Sequence, residues 1–333
     1  MTVRLAINGF GRIGRLVLRG WLESGRDDVE IVAINDLAPA ATGAHLLQFD
    51  SVHGPLNRDV VVEGDDLVVD GHRLRVSTLR DPAALTWSDV DIALECTGVF
   101  RSHDKAAAYL EAGVGKVLIS APGKDVDKTV VYGVNHGVLT ARDRIVSNAS
   151  CTTNCLSPVA LVLDDAFGIE TGYMTTIHSY TGDQPTLDTA HGDLYRARAA
   201  ALSMVPTTTG AARAVGEVLP HLKGRLDGSA IRVPTPNVSA VDLCFMPIRV
   251  PTAEAVNDAI REAAAGPLRG ILDVCDLPLV SSDFNHNPHS SIFATEQTSV
   301  SDGGLVRVLA WYDNEWGFSL RMLDTAAAMA SAK

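Results

Sequence analysis

The first third of the chain alternates short apolar runs with a stretch of helical periodicity. Residues 3–8 form an aliphatic run that ends at glycines, and residues 29–34 form a β-branched run that ends at Asn35 and Asp36. Between these runs, residues 12–23 place apolar side chains three and four positions apart, which is the spacing of one helix face. The pattern predicts a strand, a helix and a second strand in one βαβ unit.

Three later apolar runs have the same character, and each ends in a loop of small or polar residues. The runs are residues 92–94, 116–119 and 144–146, and the loops begin at Thr97, Ser120 and Ser147. Strands that alternate with helices indicate an α/β fold with a parallel, doubly wound Rossmann-type sheet, whose ligands lie at the carboxyl ends of the strands. Residues 58–76 alternate apolar and polar side chains instead, which predicts a hairpin inserted in this domain.

The pattern changes near residue 151. One helical stretch is followed by alternating runs at residues 171–180, 229–233, 239–250 and 305–312. Alternation of this kind is typical of antiparallel strands with one buried face. We therefore expect a doubly wound domain over residues 1–150 and a second, α+β domain with a mostly antiparallel sheet over residues 151–318.

Composition narrows the possible classes of protein. With 333 residues, 46% hydrophobic and 20% charged, the chain has enough apolar side chains for two domains and too many for a disordered protein. Charged residues interrupt the apolar stretches, which argues against a membrane span, and residues 1–7 are too few for a signal peptide. A net charge of −12 argues against specific nucleic-acid binding. Five scattered cysteines form no disulfide framework, so we expect a reducing compartment, the cytoplasm.

The first strand and helix are joined by the motif G-x-G-x-x-G, formed by Gly9, Gly11 and Gly14. The first glycine permits a tight turn, the second lets the backbone approach a pyrophosphate, and the third lets helix and strand pack closely. Asp36 follows the next strand, where it can bind a ribose diol and would repel a 2′-phosphate, so it favours NAD over NADP. The alternative is a structural turn without a ligand, but the position between a strand and a helix favours a dinucleotide.

A second candidate site lies where a predicted strand gives way to a helix. Cys151 falls in the first helical turn, where free N–H groups and the helix dipole favour the nucleophilic thiolate, and Ser150 and Thr152 beside it could bind an anion. Cys155 lies deeper in the helix, so we interpret it as a packed thiol. The remaining cysteines, interpreted as core residues, are Cys96, Cys244 and Cys275. No neighbouring histidine or cysteine pair completes a zinc site, so no metal is expected.

A thiolate nucleophile needs a base, and His178 is a candidate because it ends an alternating run and opens a polar loop. On the pattern alone, a structural histidine is almost as good an interpretation. Residues 207–211 and 232–235 and the arginines within residues 195–198 could bind phosphate. Taken singly, each of these clusters could equally be a helix cap or a surface ion pair.

Several segments together carry a family resemblance. The most specific is the run Ser-Cys-Thr-Thr-Asn-Cys at residues 150–155. The further segments that match are residues 8–15, 49–54, 147–154, 178–181, 206–212, 232–236 and 311–317. On these segments the chain resembles, from end to end, the phosphorylating glyceraldehyde-3-phosphate dehydrogenases.

The resemblance implies a role for each matching residue. Cys151 would be the nucleophile and His178 the base that activates it. Inorganic phosphate would bind at Ser150, Thr152, Thr209 and Gly210, and the phosphate of a small phosphorylated aldehyde at Thr181, Arg196 and Arg232. Besides the three glycines, Asp36 and the strand-end residue Thr97, NAD would contact Arg12, Ile13, Arg80, Ser120 and Asn314.

The same resemblance implies a reaction and an assembly. The reaction would be NAD-dependent oxidation and phosphorylation of D-glyceraldehyde 3-phosphate to 1,3-bisphosphoglycerate, through a thiohemiacetal and a thioester on Cys151. The assembly would be a homotetramer, in which residues 179–203 approach a neighbour's cofactor site. The last helix, residues 319–333, would pack on the first domain.

The sequence is also compatible with functions other than that of a triose phosphate dehydrogenase. Erythrose-4-phosphate dehydrogenase is a sister family towards which residues 282–289 and 314–318 lean, with Phe318 where the triose enzymes usually have tyrosine. The segments that would touch substrate favour the triose enzyme. A non-redox cysteine acyltransferase or hydrolase would leave the dinucleotide motif unused, and a non-catalytic dinucleotide-binding protein would not need Cys151 and His178. Thr189 and Ala190 match neither the NAD-specific nor the NADP-using pattern, so some NADP use stays open.

Overall fold

The computed structural model describes residues 2–333, which divide into two compact units. The first unit comprises residues 2–132, 136–149 and 319–333. The second comprises residues 133–135 and 150–318. Within residues 2–333, no helix has the length and apolar character that a membrane crossing requires.

The first unit combines short, mostly aliphatic strands with three complete helices among its described residues, and it also contains residues 319–331 of the last helix. In chain order these elements are β1 (Val3–Asn8), α1 (Arg12–Ser24), β2 (Val29–Asn35), α2 (Ala40–Gln48), β3 (Phe49–Asp50), β4 (Gly54–Pro55), β5 (Val60–Glu63), β6 (Asp66–Val69), β7 (His72–Ser77), β8 (Ile92–Glu95), α3 (His103–Glu111), β9 (Lys116–Ile119), β10 (Lys128–Thr129) and β11 (Ile145–Ser147). Short 3-10 turns lie at Pro82–Ala84 and His136–Val138.

The main sheet of this unit has the strand order β10, β11, β9, β8, β1, β2, β7, β6, β5. The pairs from β10 to β7 are parallel, which confirms the predicted βαβ unit and parallel sheet. Strands β5, β6 and β7 form an antiparallel meander, as predicted for residues 58–76, and β7 also joins β2 in parallel. Strands β3 and β4 form a separate small ribbon.

Burial explains why the central strands are uniformly aliphatic. Leu5 and Ile7 of β1 and Ala93 and Leu94 of β8 are 0% exposed. A parallel sheet is covered on both faces, so its strands carry unbroken apolar runs. Parallel strands also end at a common edge, which brings together the loops that follow β1, β2 and β8.

The second unit is built on a second sheet and three helices of its described part. In chain order these elements are α4 (Cys151–Phe167), β12 (Ile169–Ser179), β13 (Val205–Thr208), α5 (Ala211–Val218), β14 (Leu226–Val233), β15 (Ser239–Pro247), α6 (Ala253–Ala265), β16 (Leu272–Cys275), β17 (Ser291–Ala294), β18 (Ser299–Val300) and β19 (Val306–Tyr312). Short 3-10 turns lie at Pro220–Leu222, Ser281–Phe284 and Thr295–Gln297. The last helix, α7 (Trp316–Ser331), begins in this unit.

This second sheet has the strand order β13, β14, β12, β15, β19, β17, β16, with β18 paired to β19. Antiparallel pairs predominate, as predicted. The pairs β12–β14 and β16–β17 are parallel, which the alternating runs did not indicate. The parallel β12–β14 pair matters for function because it brings the ends of two strands side by side.

Candidate active site

Cys151 opens α4 directly after a sharp backbone turn. Ala149 has φ 56°, a left-handed conformation that costs an L-residue about 1–2 kcal/mol. Ser150 is the N-cap, and its Oγ accepts a hydrogen bond from the backbone N–H of Thr153 at 3.0 Å. The cap fixes the first helical turn, so the thiol is held at a defined position at the start of the helix.

Strand register assembles the side chains opposite Cys151. In the parallel β12–β14 pair, His178 lies directly beside Arg232. On the other side of β12, Ile177 pairs with Ala240 of β15, and the next β15 residue towards its start, Ser239, pairs with Tyr312 of β19. His178, Arg232 and Tyr312 therefore lie in one row at the ends of three strands, although they are far apart in the sequence.

The decisive contact of the site joins Cys151 to His178. The Sγ of Cys151 lies 3.5 Å from Nε2 of His178. The other ring nitrogen, Nδ1, lies 2.7 Å from the backbone oxygen of Ser179. Because a carbonyl oxygen can only accept, Nδ1 carries the proton, and Nε2 of the neutral ring is free to accept the thiol proton.

Charge and burial keep His178 neutral. The side chain is 4% exposed. Burial, reinforced by the positive charge of Arg232, lowers the pKa of His178 to about 3. The ring is therefore uncharged over the whole physiological range, so its Nε2 lone pair is available as an acceptor, while burial makes the protonated ring costly in the free protein.

The protonation state of Cys151 corrects an expectation from the sequence. Burial raises the pKa of this thiol above its usual value, although Arg232 and Thr152 act in the opposite direction. The helix start therefore does not make the thiolate the resting form in the free protein, because loss of solvent outweighs the favourable local field. Because burial also lowers the pKa of His178, the resting pair in the free protein is a thiol beside a neutral imidazole, and the thiol proton moves to His178 only as Cys151 attacks a substrate.

Tyr312 belongs to the site although sequence reasoning did not assign it a role. Its hydroxyl lies 2.8 Å from Thr152 Oγ1 and 2.9 Å from Thr176 Oγ1. Its ring meets that of His178 edge-on, with the centroids 5.9 Å apart. Tyr312 thus ties the first turn of α4 to β12 and β19. The only sequence signal for it was its position in a matching family segment.

Asn314, predicted to contact NAD, lies two residues after β19 in the second unit. Its Oδ1 accepts hydrogen bonds from the hydroxyls of Ser179 and Ser239, both at 2.8 Å. These contacts fix the orientation of the Asn314 amide, so that its oxygen faces the two serines and its NH₂ group is directed away from them.

The three residues predicted to hold the aldehyde phosphate, which are Thr181, Arg196 and Arg232, form one cluster. Arg232 Nη1 donates to Thr181 Oγ1 at 3.0 Å, and the buried Nε of Arg232 has no hydrogen-bond partner within residues 2–333. Arg196 lies in the same cluster, since its Nη1 contacts Asp183 at 2.9 Å. Asp183 also accepts from Thr181 at 2.5 Å, so its carboxylate lies against two of the three predicted phosphate ligands. Sequence reasoning did not identify Asp183.

The other predicted phosphate-binding residues lie at helix starts. Gly210 is the N-cap of α5, and Thr209 Oγ1 accepts from the N–H of Ala211 at 3.1 Å. Ser150 and Thr152 lie at the start of α4, where Thr152 is engaged with Tyr312. Each helix start offers backbone N–H groups to an anion.

The remaining cysteines divide into buried and half-buried thiols. Cys155 is 0% exposed, its Sγ lies 3.4 Å from Ser291 Oγ, and burial raises its pKa to about 12, which confirms the packed thiol. Cys275 is also buried, as expected. The expectation of core positions for Cys96 and Cys244 is wrong, because both are only half-buried. Cys96 lines a cavity of the first unit, and Cys244 lies on a less covered face of β15.

The glycine turn of the first unit borders a cavity of about 330 Å³. The predicted cofactor residues in its lining are Gly9, Gly11, Asp36, Arg80 and Thr97. Gly9 has φ 92°, and a Cβ added to Gly14 would lie 2.1 Å from the oxygen of Gly9, whereas a Cβ on Gly11 would meet nothing within 4 Å. The turn is therefore tight where helix and strand pack, and open where the backbone faces the cavity.

The other predicted cofactor residues lie outside that lining. Arg12 and Ile13 open α1, and Ser120 follows β9. Arg12 Nη1 lies 2.5 Å from Asp50, whose other oxygen accepts from the N–H groups of Val52 and His53. These hydrogen bonds offset the cost of burial and lower the pKa of Asp50 to about 2. Among residues 2–333, no group of three or more His, Cys, Asp or Glu side chains is arranged to hold a metal ion.

Comparison with known proteins decides the family. The family model of the glyceraldehyde 3-phosphate dehydrogenase NAD binding domain matches residues 3–103, and that of the C-terminal domain matches residues 150–314. A glyceraldehyde-3-phosphate dehydrogenase of Cereibacter sphaeroides is 65% identical over 330 residues, 99% of each chain. The chain belongs to the glyceraldehyde-3-phosphate dehydrogenase family. Proteins of this name from Xanthobacter flavus and Priestia megaterium are 63% and 53% identical, again over 99% of each chain.

Membership of the glyceraldehyde-3-phosphate dehydrogenase family confirms the resemblance seen in the motifs. The chain is an NAD-dependent dehydrogenase, rather than a cysteine hydrolase or a non-catalytic dinucleotide-binding protein. NAD is its cofactor. The residues present fit this group, because the open side of Gly11 and the carboxylate of Asp36 border one cavity at the strand ends.

Proposed function

We propose that this chain converts D-glyceraldehyde 3-phosphate, NAD and inorganic phosphate to 1,3-bisphosphoglycerate, with Cys151 as the nucleophile and His178 as the base. The single observation that carries this proposal is the 3.5 Å contact between Cys151 Sγ and His178 Nε2. It is supported by the proton on Nδ1, which the carbonyl of Ser179 fixes in place. A thiol beside a neutral imidazole acceptor is the arrangement that nucleophilic catalysis requires.

The steps follow from these two side chains. His178 Nε2 takes the thiol proton, and the Cys151 thiolate attacks the aldehyde carbon, whose oxygen takes up that proton to form a thiohemiacetal. NAD, when bound, supplies the hydride acceptor. His178 accepts the hydroxyl proton as this carbon is oxidised, which leaves Cys151 in a thioester. Inorganic phosphate attacks the thioester carbon, and the thiolate of Cys151 leaves as the acyl phosphate forms.

Two anion sites position the reactants in this proposal. Thr181, Arg196 and Arg232 hold the phosphate of the aldehyde, which is supported by the unpartnered Nε of Arg232 and by the contact of its Nη1 with Thr181. The helix-start residues for inorganic phosphate are Ser150, Thr152, Thr209 and Gly210. Binding energy at both sites would orient the reacting carbon without taking part in the chemistry.

The cofactor site we propose uses the glycine turn and the loops at the strand ends. Its residues are Gly9, Gly11, Arg12, Ile13, Gly14, Asp36, Arg80, Thr97, Ser120 and Asn314. Residues 1–150 with residues 319–333 would form the NAD-binding domain, and residues 151–318 the catalytic domain. Asp36 favours NAD, since its carboxylate would repel the 2′-phosphate of NADP.

The test is a spectrophotometric assay of NADH formation with and without inorganic phosphate. We expect sustained turnover only with phosphate, because phosphate releases the thioester. Sustained turnover of equal rate without phosphate would contradict the proposal. Comparing glyceraldehyde 3-phosphate with erythrose 4-phosphate at matched concentrations tests the tetrose alternative, which residues 282–289 and Phe318 favour. Faster turnover of erythrose 4-phosphate would show that the tetrose phosphate, and not the triose phosphate, is the preferred substrate.

We also propose a cytoplasmic homotetramer. Four apolar side chains in residues 187–204 are at least 75% exposed, and a partner chain that covered them would remove this apolar surface from water. They are Leu187, Leu194, Leu202 and Met204. All five cysteines are free, which suits a reducing compartment. Light scattering of the purified chain should give four times the chain mass of 35.3 kDa, and a monomer mass would contradict this assembly.

A further inference from the structure

A chain of buried polar side chains lies beneath the dinucleotide cavity. Its members are Tyr109, Glu95, Asn8 and Asn35, which we call the polar chain, and each is at most 3% exposed. They come from α3 and from the ends of β8, β1 and β2. Polar groups at this depth are costly unless each is hydrogen-bonded, so their partners show what the arrangement holds in place.

Glu95 holds the loop that follows β8. Its Oε1 accepts from the backbone N–H groups of Thr97 at 2.8 Å and Gly98 at 3.1 Å, and also from the hydroxyl of Thr97. Its Oε2 contacts the hydroxyl of Tyr109 and lies 3.3 Å from Nδ2 of Asn8. Backbone N–H groups can only donate, so the Oε1 end of Glu95 must stay an acceptor.

The two asparagines continue the polar chain to the next loops. Asn8 Oδ1 accepts from Asn35 Nδ2 at 2.7 Å. Asn35 Oδ1 in turn accepts from the backbone N–H of Leu79 at 2.9 Å and from Ser77 Oγ at 2.8 Å. Each amide is oriented by its neighbours, because its oxygen meets donors and its nitrogen meets acceptors.

The polar chain contacts the segments that line the cavity. Asn8 precedes the glycine turn, Asn35 precedes Asp36, Leu79 precedes Arg80, and Glu95 binds Thr97 and Gly98. The turn and the β8 loop are also in close contact, because a Cβ on Gly9 would lie 2.7 Å from the nitrogen of Thr97. Small displacements of one loop would therefore change the shape of the cavity wall.

We propose that Glu95 is a positioning residue for NAD, which acts through the polar chain to hold the loops of the cavity in their binding arrangement. This inference rests on the proposed function, in which NAD binds in this cavity. Glu95 is not itself a ligand in this proposal, since both its oxygens are directed at protein donors.

The isosteric change Glu95→Gln tests the proposal because it turns one of the two acceptor oxygens of this side chain into a donor NH₂ group. If the glutamine oxygen faces Thr97 and Gly98, its NH₂ group faces the NH₂ group of Asn8, and two donors oppose each other. If the amide is flipped, its NH₂ group faces two backbone donors. Asn8 cannot compensate by turning over, because its oxygen is needed by Asn35.

We expect Glu95→Gln to weaken NAD binding about tenfold, as measured by calorimetry on the full chain. Turnover at saturating NAD should change far less than affinity, because Cys151 and His178 are untouched. The matched control is Val114→Ala, which removes buried volume from the apolar cluster that also contains Tyr109. We expect this control to lose stability and to retain its NAD affinity.

Hydrogen exchange without NAD gives a second, independent measurement. The amides of Leu79, Thr97 and Gly98 should exchange faster in Glu95→Gln than in Val114→Ala. The double variant Asn8→Asp with Glu95→Gln restores matched donors and acceptors, since the introduced carboxylate can accept both from the introduced glutamine amide and from Asn35. It should recover the protection of Thr97 and Gly98.

The outcomes separate the two proposals. If the wild-type protein does not bind NAD, both the proposed function and this inference are overturned. If it binds NAD and Glu95→Gln binds equally well, or if Val114→Ala weakens binding to the same extent, the inference alone is overturned. If Glu95→Gln does not fold, Tyr109→Phe decides, because it removes a single hydroxyl from the polar chain. We expect it to weaken NAD binding about threefold, and unchanged affinity would overturn the inference.

Discussion

Helices α1 and α4 both begin directly after a sheet strand, yet their first turns are built in opposite ways. The N-cap of α1 is Gly11, and no side chain caps this helix within the described residues. The N-cap of α4 is Ser150, whose hydroxyl oxygen accepts a hydrogen bond from the backbone N–H of Thr153. Neither first turn contains an acidic residue.

This difference corresponds to two kinds of chemistry. At α1, the missing side chain leaves backbone N–H groups and open space, which is what a pyrophosphate requires. At α4, the cap fixes the turn, and the reactive group is the side chain of Cys151. The cofactor site is therefore made mainly from backbone, whereas the site of the chemical step is made from side chains whose protonation the fold controls.

The largest effect should come from the thiol at the start of α4. Cys151→Ser should lower turnover by about 10⁴-fold or more, because a serine hydroxyl beside this imidazole is a much weaker nucleophile. NAD affinity, measured by titration, should be unchanged. Cys155→Ser is the matched control, since that thiol lies four residues on in the same helix and is fully buried. Near-normal turnover in Cys151→Ser would remove Cys151 from the mechanism.

Removing the base should have the next largest effect. His178→Asn takes away the acceptor that lies 3.5 Å from Cys151 Sγ, and burial already raises the pKa of that thiol. We expect turnover to fall by about 10²–10⁴-fold. Alkylation of Cys151 by iodoacetamide at pH 7, followed by mass spectrometry, should also slow. An unchanged alkylation rate would show that His178 does not activate the thiol.

Two alanine substitutions in the glycine turn test the other half of this comparison, the start of α1. A Cβ on Gly14 would lie 2.1 Å from a backbone oxygen, so Gly14→Ala should both destabilise the unit and weaken NAD binding. A Cβ on Gly11 has open space, so Gly11→Ala should leave the melting temperature unchanged and weaken NAD binding by about tenfold to a hundredfold, measured by calorimetry. Unchanged affinity in Gly11→Ala would place the pyrophosphate elsewhere.

The two regions also differ in how much of each could be predicted from the sequence. The glycine turn is local: a strand, three glycines and Asp36 within one βαβ unit suffice to predict both its shape and its ligand. His178 could be named a candidate, but on pattern alone it was close to an ordinary structural histidine. Its pairing with Arg232 depends on a parallel strand pair that alternating runs do not reveal.

Three features lay beyond sequence reasoning for physical reasons. Tyr312 meets Thr152 across 160 positions of the chain, and only the register of β12, β15 and β19 determines that contact. The pKa of Cys151 is raised because of what packs around it, which the helix start alone does not show. The half-buried state of Cys96 depends on a cavity formed by loops from several strands.

The lowered pKa of His178 gives a prediction about acid stability. An unfolded histidine takes up a proton near pH 6.5, whereas His178 in the folded chain does so only near pH 3. Between these values the unfolded state binds the extra proton, so this residue lowers the free energy of unfolding as the pH falls. At about 1.4 kcal/mol per pH unit, the wild-type chain should lose about 2 kcal/mol more than His178→Asn between pH 7 and pH 5. Urea unfolding at both pH values measures this, and equal losses would contradict a buried neutral imidazole.

The smallest effect concerns the cap that distinguishes α4 from α1. Ser150→Ala removes the acceptor for the N–H of Thr153 and should cost about 1 kcal/mol of unfolding free energy. Thr252→Ala is the matched control, because Thr252 caps α6 in the same way, accepting from the N–H of Ala255 at 3.1 Å. Both variants should lose similar stability in urea, but only Ser150→Ala should alter the alkylation rate of Cys151. If both variants alkylate at the wild-type rate, the cap stabilises α4 without positioning its thiol, and the contrast between the two helix starts rests on Gly11 alone.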